Sequence, residues 1–160
     1  MKPESKSTPC RIVFNSSSKF YGKSLNDFLA KGPSLLNNML GILLRFRQNQ
    51  VAFIGDIKKM FHSIEIPNED QVTHLFLWRD LDITKEPTTY AITRVNMGDR
   101  PSSAIAQTAL RKTAENAMIE FPEAATVVLR NCYMDDIPAS VTDRVKAIQI
   151  MGDISSMLQK

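Results

Sequence analysis

The sequence predicts an α+β fold in which an antiparallel sheet carries helices on one face. Three observations lead there. Val51–Asp56 is an almost wholly apolar run, as in a strand covered on both faces of a sheet centre. Other short stretches alternate or are rich in β-branched and aromatic residues. Between them lie three stretches of helical period, giving the order β-α-β-β-β-β-α-β-β-α, which places runs of antiparallel strands against helices.

Residues 1–9 are polar and charged and read as a disordered lead-in, so the folded domain is expected over 10–160. Arg11–Phe14 reads as a short strand and Asn15–Lys19 as a loop. Pro33-Ser34 opens the first helix, with Ser34 as its cap and Leu36, Met39, Leu40 and Leu43 on one face, ending near Gln48-Asn49. After the Val51–Asp56 strand, Ser63–Ile66 alternates up to Pro67, Leu75–Trp78 is a further strand and Thr88–Val95 another. Ser102 is expected to cap a long helix whose stripe is Ile105, Ala106, Ala109, Leu110, Thr113 and Ala117. Thr126–Tyr133 and Ile137–Val141 read as strands, joined by a turn holding Met134-Asp135-Asp136. Thr142 starts a last helix with Val145, Ile148, Met151 and Met157 on one side.

At 160 residues, 43% hydrophobic and 23% charged, the chain has the composition of a soluble folded domain. The net charge of +3 permits contact with nucleic acid without arguing for it. Cys10 and Cys132 stand far apart, in no metal-ligand spacing with each other or with His62 and His74, and fit a reduced pair in an intracellular protein. The first residues have no apolar signal region and no run reaches membrane-spanning length, so a cytoplasmic or nuclear setting is expected.

The sharpest chemistry lies in Tyr133-Met134-Asp135-Asp136. Neighbouring residues of a regular strand point to opposite faces, so adjacent acids inside a covered strand would force one into the core. At a tight turn both reach the same cleft. An exposed Asp-Asp turn is the commoner role for such a pair. A strand-ending or helix-capping acid is likewise the commoner role for Asp56. Together, three carboxylates at strand ends suit a pair of hard divalent cations. Two such ions about 3.5–4 Å apart serve nucleotidyl transfer by activating a 3′-hydroxyl and stabilising leaving pyrophosphate.

These residues resemble reverse transcriptases. Tyr133-Met134-Asp135-Asp136 is similar to their aromatic-x-Asp-Asp box, and Val51 to Phe61 to their first carboxylate box, an Asp followed five residues later by an aromatic. Val95-Asn96-Met97-Gly98-Asp99-Arg100-Pro101-Ser102 occupies the place of the glycine-containing nucleotide-pocket segment, and Arg11–Phe14 that of a fingers strand beginning with a triphosphate-binding Arg. Ser24-Leu25-Asn26, Gly32-Pro33, Leu43-Leu44-Arg45-Phe46-Arg47, Asp56 to His62 and Phe76-Leu77-Trp78-Arg79 are similar to the BEL/Pao branch of LTR retrotransposons.

The resemblance implies a polymerase palm with partial fingers. Asp56 and Asp135 would be the main ligands of two Mg²⁺ ions, replaceable by Mn²⁺, with Asp136 supporting. The loop from Asp56 through Ile57 to Phe61 would turn backbone N–H groups to the triphosphate, and Arg11 would pair with its phosphates. Phe61 would lie under the sugar and exclude a 2′-hydroxyl; alone, it reads equally as a core aromatic. Met97 and Gly98 would line the nucleotide cleft, and Tyr133 and Met134 would support the primer and template. Lys58 and Lys59 would be solvated or touch nucleic-acid backbone. The partners implied are a primed RNA or DNA template and deoxynucleoside triphosphates. The thumb and RNase H parts of a polyprotein are absent from these 160 residues, so little processive synthesis is expected from the chain alone. The alternatives are a non-catalytic remnant that binds nucleic acid or protein, and another palm polymerase or cyclase. Three residues depart from the family pattern: Asn15 where an acid is usual, Ser103 where many relatives have Pro, and Pro138 two residues past Asp136.

Overall fold

A computed structural model describes residues 13–159. The expected lead-in, Cys10 and Arg11 lie outside the described residues. In chain order the elements are α1 (Leu25–Phe28), α2 (Met39–Phe46), β1 (Val51–Asp56), β2 (Leu75–Trp78), β3 (Thr88–Ala91), α3 (Ser102–Asn116), α4 (Pro122–Asn131), β4 (Asp136–Val141) and α5 (Arg144–Leu158), with 3₁₀ turns at Phe61–Ser63 and Gln71–His74. The mixed α+β class is as expected. The strands form two antiparallel pairs, β1 with β4 and β2 with β3.

The β1–β4 pair carries the core. Its register sets Val51 opposite Val141, Phe53 opposite Ala139 and Gly55 opposite Ile137, all on the covered face. Ala52 with Ser140, Ile54 with Pro138, and Asp56 with Asp136 share the other face. The helices cover the first face: Ile137 and Val141 pack with Leu110 of α3, Val128 of α4, and Ile150 and Ile154 of α5. Ala114, Ala124 and Ala125 are fully buried where α3 meets α4, because small side chains let two helices approach closely.

Pro138 causes no defect in the ladder. Ile57 N–H donates to Asp135 O at 2.8 Å, which makes those two a hydrogen-bonded pair. Alternation along an antiparallel ladder then puts Asp136 and Pro138 at non-hydrogen-bonded positions, where Pro138's missing N–H faces away from β1.

Several expectations are corrected, in four groups. Thr126–Tyr133 is not a strand: residues up to Asn131 belong to α4, despite Thr126, Val127 and Val128. Pro122 is pre-organised at the first helical position, Glu123 sits at the positive helix end, and burial at Ala124, Ala125, Val128 and Asn131 has helical period. Thr126 Oγ1 turns back to Pro122 O at 2.8 Å, a bond that suits Thr to a helix. Secondly, the first helix starts at Met39 with Asn38 as its cap, its side chain accepting from Gly41 N–H at 3.0 Å; Ser34 does not cap. Only Ile42 of α2 is buried, and Leu40 and Leu44 are exposed. The chain before it is held extended by long-range bonds, among them Arg111 Nη2 to Leu35 O at 3.0 Å.

Thirdly, Ser63–Ile66 forms a single bridge, Glu65 with Arg94, rather than a strand, and the Thr88–Val95 strand stops at Ala91. The 3₁₀ turn at Phe61–Ser63 takes up the first residue of the expected strand. Val13 and Phe14 lie in no strand; Phe14 instead packs its ring edge-on to Phe76, 5.4 Å between centroids, beside the stacked Phe76–Tyr90 pair of β2 and β3. Fourthly, the α5 face is turned, Met157 excepted, and the α3 stripe loses Ile105. In α5 the buried residues are Ala147, Ile150, Ile154 and Met157, whereas Val145, Ile148 and Met151 are exposed. In α3, Ile105 is exposed, Ala106 and Leu110 are buried as expected, and Ala104, Gln107 and Ala114 join them. Ser102 is the first residue of α3 and donates its hydroxyl to Asn96 O at 2.5 Å, so Pro101 holds the cap position. Asp143, not Thr142, caps α5 by accepting from Lys146 N–H at 2.9 Å.

Candidate active site

A tight turn stands at the acids as expected, but it joins helix α4 to β4 rather than two strands. Tyr133 and Asp136 exchange backbone bonds, N–H to O at 2.9 Å and 3.1 Å, and close a tight turn around Met134 and Asp135. Met134 takes a left-handed conformation, φ 56°, which costs a non-glycine residue roughly 1–2 kcal/mol. Neighbours hold it there. Gln107 Nε2 of α3 and the Cys132 thiol both donate to Met134 O at 3.2 Å, and Ser103 Oγ contacts Met134 Sδ at 3.7 Å. Ser103, one of the departures, therefore meets the turn directly.

Asp136 opens β4 directly opposite Asp56, the last residue of β1. Side chains of a non-hydrogen-bonded pair lie on one face with their Cα atoms about 4.5 Å apart. Both acids are exposed on the face opposite Gly55 and Ile137, and Asp135 is half-buried one residue earlier. No hydrogen bond or ion pair among the described residues holds any of the three carboxylates. The sheet thus brings two of the three predicted acids, Asp56 and Asp136, opposite each other. Yet among the described residues no three Asp, Glu, His or Cys side chains stand close enough to hold a metal ion together. Oxygen donors, free of other partners among the described residues, match the chemistry that a hard divalent cation requires, and the register sets two of them, Asp56 and Asp136, opposite each other.

The loop after Asp56 is partly committed. Ile57 N–H is used on Asp135 O, and Met60 N–H on Ile57 O at 3.2 Å. The amides of Lys58 and Lys59 have no acceptor among the described residues, and Lys59 takes φ 56°, a left-handed kink in the loop. Phe61 is half-buried and packs against the core.

Met97 and Gly98 are exposed in a loop held from three sides by residues the sequence reading did not assign to a site. Asn26 of α1 donates to Gly98 O at 2.9 Å and accepts from Arg100 N–H at 2.8 Å. Asp99, nearly buried, takes His74 Nε2 on Oδ2 at 2.9 Å and the Ser16 hydroxyl on Oδ1. Gly98 has φ 109°, and a Cβ there would stand 3.1 Å from Phe14 O. The close approach that requires glycine is thus made by the chain's own backbone. Gly98→Ala is expected to cost about 1–2 kcal/mol, read as a lower urea midpoint; an unchanged midpoint would show that the loop relaxes freely. Asn15 departs from the family acid yet has work of its own, its Oδ1 accepting from Ser17 N–H at 3.2 Å to turn the loop. Of these residues Gln107 carried a signal in sequence, a polar residue set within a stripe of small apolar ones.

Cys132 lies directly behind the turn, 2% exposed. Burial, and then the Asp135 and Asp136 carboxylates, push its thiol up to about 12. The thiol therefore stays protonated in the folded state while the unfolded chain ionises it near 9. Its contribution to stability is intact below pH 9 and falls as pH rises from there towards 12. In a Cys10→Ser background, Cys132 is expected to resist thiol-modifying reagents at pH 8 and to react once urea unfolds the chain; rapid reaction of the folded protein would contradict this.

The fold has known counterparts. The described chain has a reverse-transcriptase-like α+β fold. A solved structure that it matches is a foamy viral protease-reverse transcriptase in complex with RNA/DNA hybrid, with a TM-score of 0.57 at 18% identity. The match covers 78% of this chain and 15% of that one, so the chain spans a small part of that protein's length. No protein-family model matches the chain, and no curated protein does. Among the described residues no helix is long and apolar enough to cross a membrane.

Proposed function

We propose that the chain is the nucleotidyl-transfer core of an RNA-directed DNA polymerase, joining deoxynucleotides to a primer 3′-hydroxyl, within a BEL/Pao-type retrotransposon product. The observation that carries this reading is the register of β1 and β4, which sets Asp56 against Asp136 beside the Tyr133–Asp136 turn. The reverse-transcriptase-like fold supports it, and the neighbour of that fold was solved with an RNA/DNA hybrid. The BEL/Pao assignment rests on the sequence motifs.

Asp56, Asp135 and Asp136 would hold two Mg²⁺ ions, or Mn²⁺ in their place. When bound there, such ions supply Lewis acidity at the attacking hydroxyl and the leaving pyrophosphate. The chain's own groups do the rest. The Lys58 and Lys59 amides would face the triphosphate beside Ile57, and Arg11 would pair with its phosphates. Phe61, backed by the core, sits under the sugar and selects against a 2′-hydroxyl. Met97 and Gly98 line the nucleotide cleft on their clamped loop, and Tyr133 and Met134 bear on the primer end. The test is incorporation of one deoxynucleotide onto a primed RNA template in Mn²⁺ or Mg²⁺, wild type against Asp135→Asn. Equal incorporation by both would sink the proposal. The competing reading is a nucleic-acid-binding module without catalysis, favoured by the lack of a ready three-acid cluster among the described residues. Template binding with no incorporation by a folded chain would select it.

A further inference from the structure

We infer that Asn37 is a positioning residue for the acidic turn, acting through the C-terminus of α4. A helix leaves its last four carbonyls without intrahelical partners. In α4, Val128 O is met by Cys132 N–H at 3.2 Å. Leu129 O is met by Asn37 Nδ2 at 3.1 Å, and Arg130 O by Arg45 Nη2. The same Asn37 Nδ2 also donates to Cys132 O at 2.9 Å, the residue that immediately precedes Tyr133. Asn37 Oδ1 in turn accepts from Arg111 Nη2 of α3 at 3.1 Å.

Both amide hydrogens and the amide oxygen are therefore used, on partners 74 to 95 residues away in sequence. Such an amide has one orientation: flipping it would set its oxygen against two carbonyls and its N–H groups against a guanidinium. Arg45 adds a cation at the negative end of the helix, and its Nε donates to Asn131 Oδ1 at 2.6 Å. No spacer separates this anchor from the turn, since α4 ends at Asn131 and the turn opens at Tyr133. A shift of the α4 end thus moves Asp135 and Asp136 relative to Asp56, which is fixed on β1. Gln107 holds the far side of the same turn through Met134 O, so the acids are set between two side-chain amides from separate segments. This inference rests on the polymerase reading only for its catalytic consequence.

Asn37→Asp keeps the volume and the acceptor for Arg111 and removes both donors. The experiment records the methyl-carbon spectrum of the full chain labelled at methionine, with Met134 assigned through Met134→Leu, alongside single-nucleotide incorporation. In Asn37→Asp the Met134 resonance is expected to move or broaden, and kcat to fall roughly tenfold with KM for the deoxynucleotide unchanged. Arg111→Leu removes the bond that orients Asn37 and is expected to move the same resonance, so it serves where Asn37→Asp does not fold. A Met134 resonance unmoved in a folded variant overturns the inference. A parent chain without incorporation sinks the polymerase reading instead, and the Met134 resonance still decides the positioning.

Discussion

Asp56→Asn and Asp135→Asn are each expected to reduce metal-dependent incorporation by at least about a thousandfold, the several kcal/mol of charge stabilisation that a bound cation provides. The fold should survive both changes. Asp56 is exposed and Asp135 half-buried, and among the described residues neither carboxylate is bonded to anything that its loss would strand. For Asp56→Asn stability should rise. Asp56 and Asp136 face each other across the strand pair, and like charges so placed repel, at a cost of about 0.2–1 kcal/mol. Salt screens exposed charges, so the gain in melting temperature should shrink between low and high ionic strength. The cation itself gives a readout independent of turnover. Anything that binds the folded state alone raises its melting temperature, so Mn²⁺ should stabilise the wild type and not Asp56→Asn. Equal stabilisation of both proteins would place the cation elsewhere.

Ile137→Ala is expected to cause the largest loss of stability of any single change near the site. Ile137 is 2% exposed on the covered face of β4, next to Asp136. Truncating a buried Ile to Ala costs about 2–5 kcal/mol, the transfer of its carbons plus the cavity they leave. One side of Ile137 borders a groove of 520 Å³ between β1, α3 and α5, which Phe53, Leu110, Met151 and Ile154 also line. Part of the space left is therefore continuous with that groove, which limits the cavity term and sets the expected cost at about 2–3 kcal/mol. Ile54, opposite Pro138 on the other face and 63% exposed, provides the control: Ile54→Ala should change stability by less than about 0.5 kcal/mol. Urea midpoints of the two variants measure this directly. Similar losses for both would mean that the outer face is covered as well as the inner.

Much of the site could be read from the chain, and the errors have local causes. β2 has the bounds its composition suggests, and β1 and the Tyr133–Asp136 turn stand where the apolar runs and paired acids put them. The α4 segment misled because Thr126, Val127 and Val128 favour strands in isolation, whereas Pro122, Glu123 and the burial of Ala124, Ala125 and Val128 favour a helix packed on α3. Tertiary packing outweighs such weak preferences. Ser34 and Asn38 are both fit to cap a helix; Asn38 does so because Asn37 and Leu35 are drawn away to Cys132, Leu129 and Arg111.

By itself the sequence determined the strand that ends on Asp56, the turn that carries Asp135 and Asp136, and the helical character of residues 102–116 and 144–158, because these depend on short-range pattern. The tertiary structure decided which strands pair, and so that Asp56 meets Asp136 rather than a residue one step away. It also decided that α5 buries Ile150 and Ile154 rather than Val145 and Ile148. The reason is physical: α5 carries apolar residues on two faces, and a one-residue shift of strand register would turn every side chain to the opposite face. Only contact between distant segments separates those alternatives.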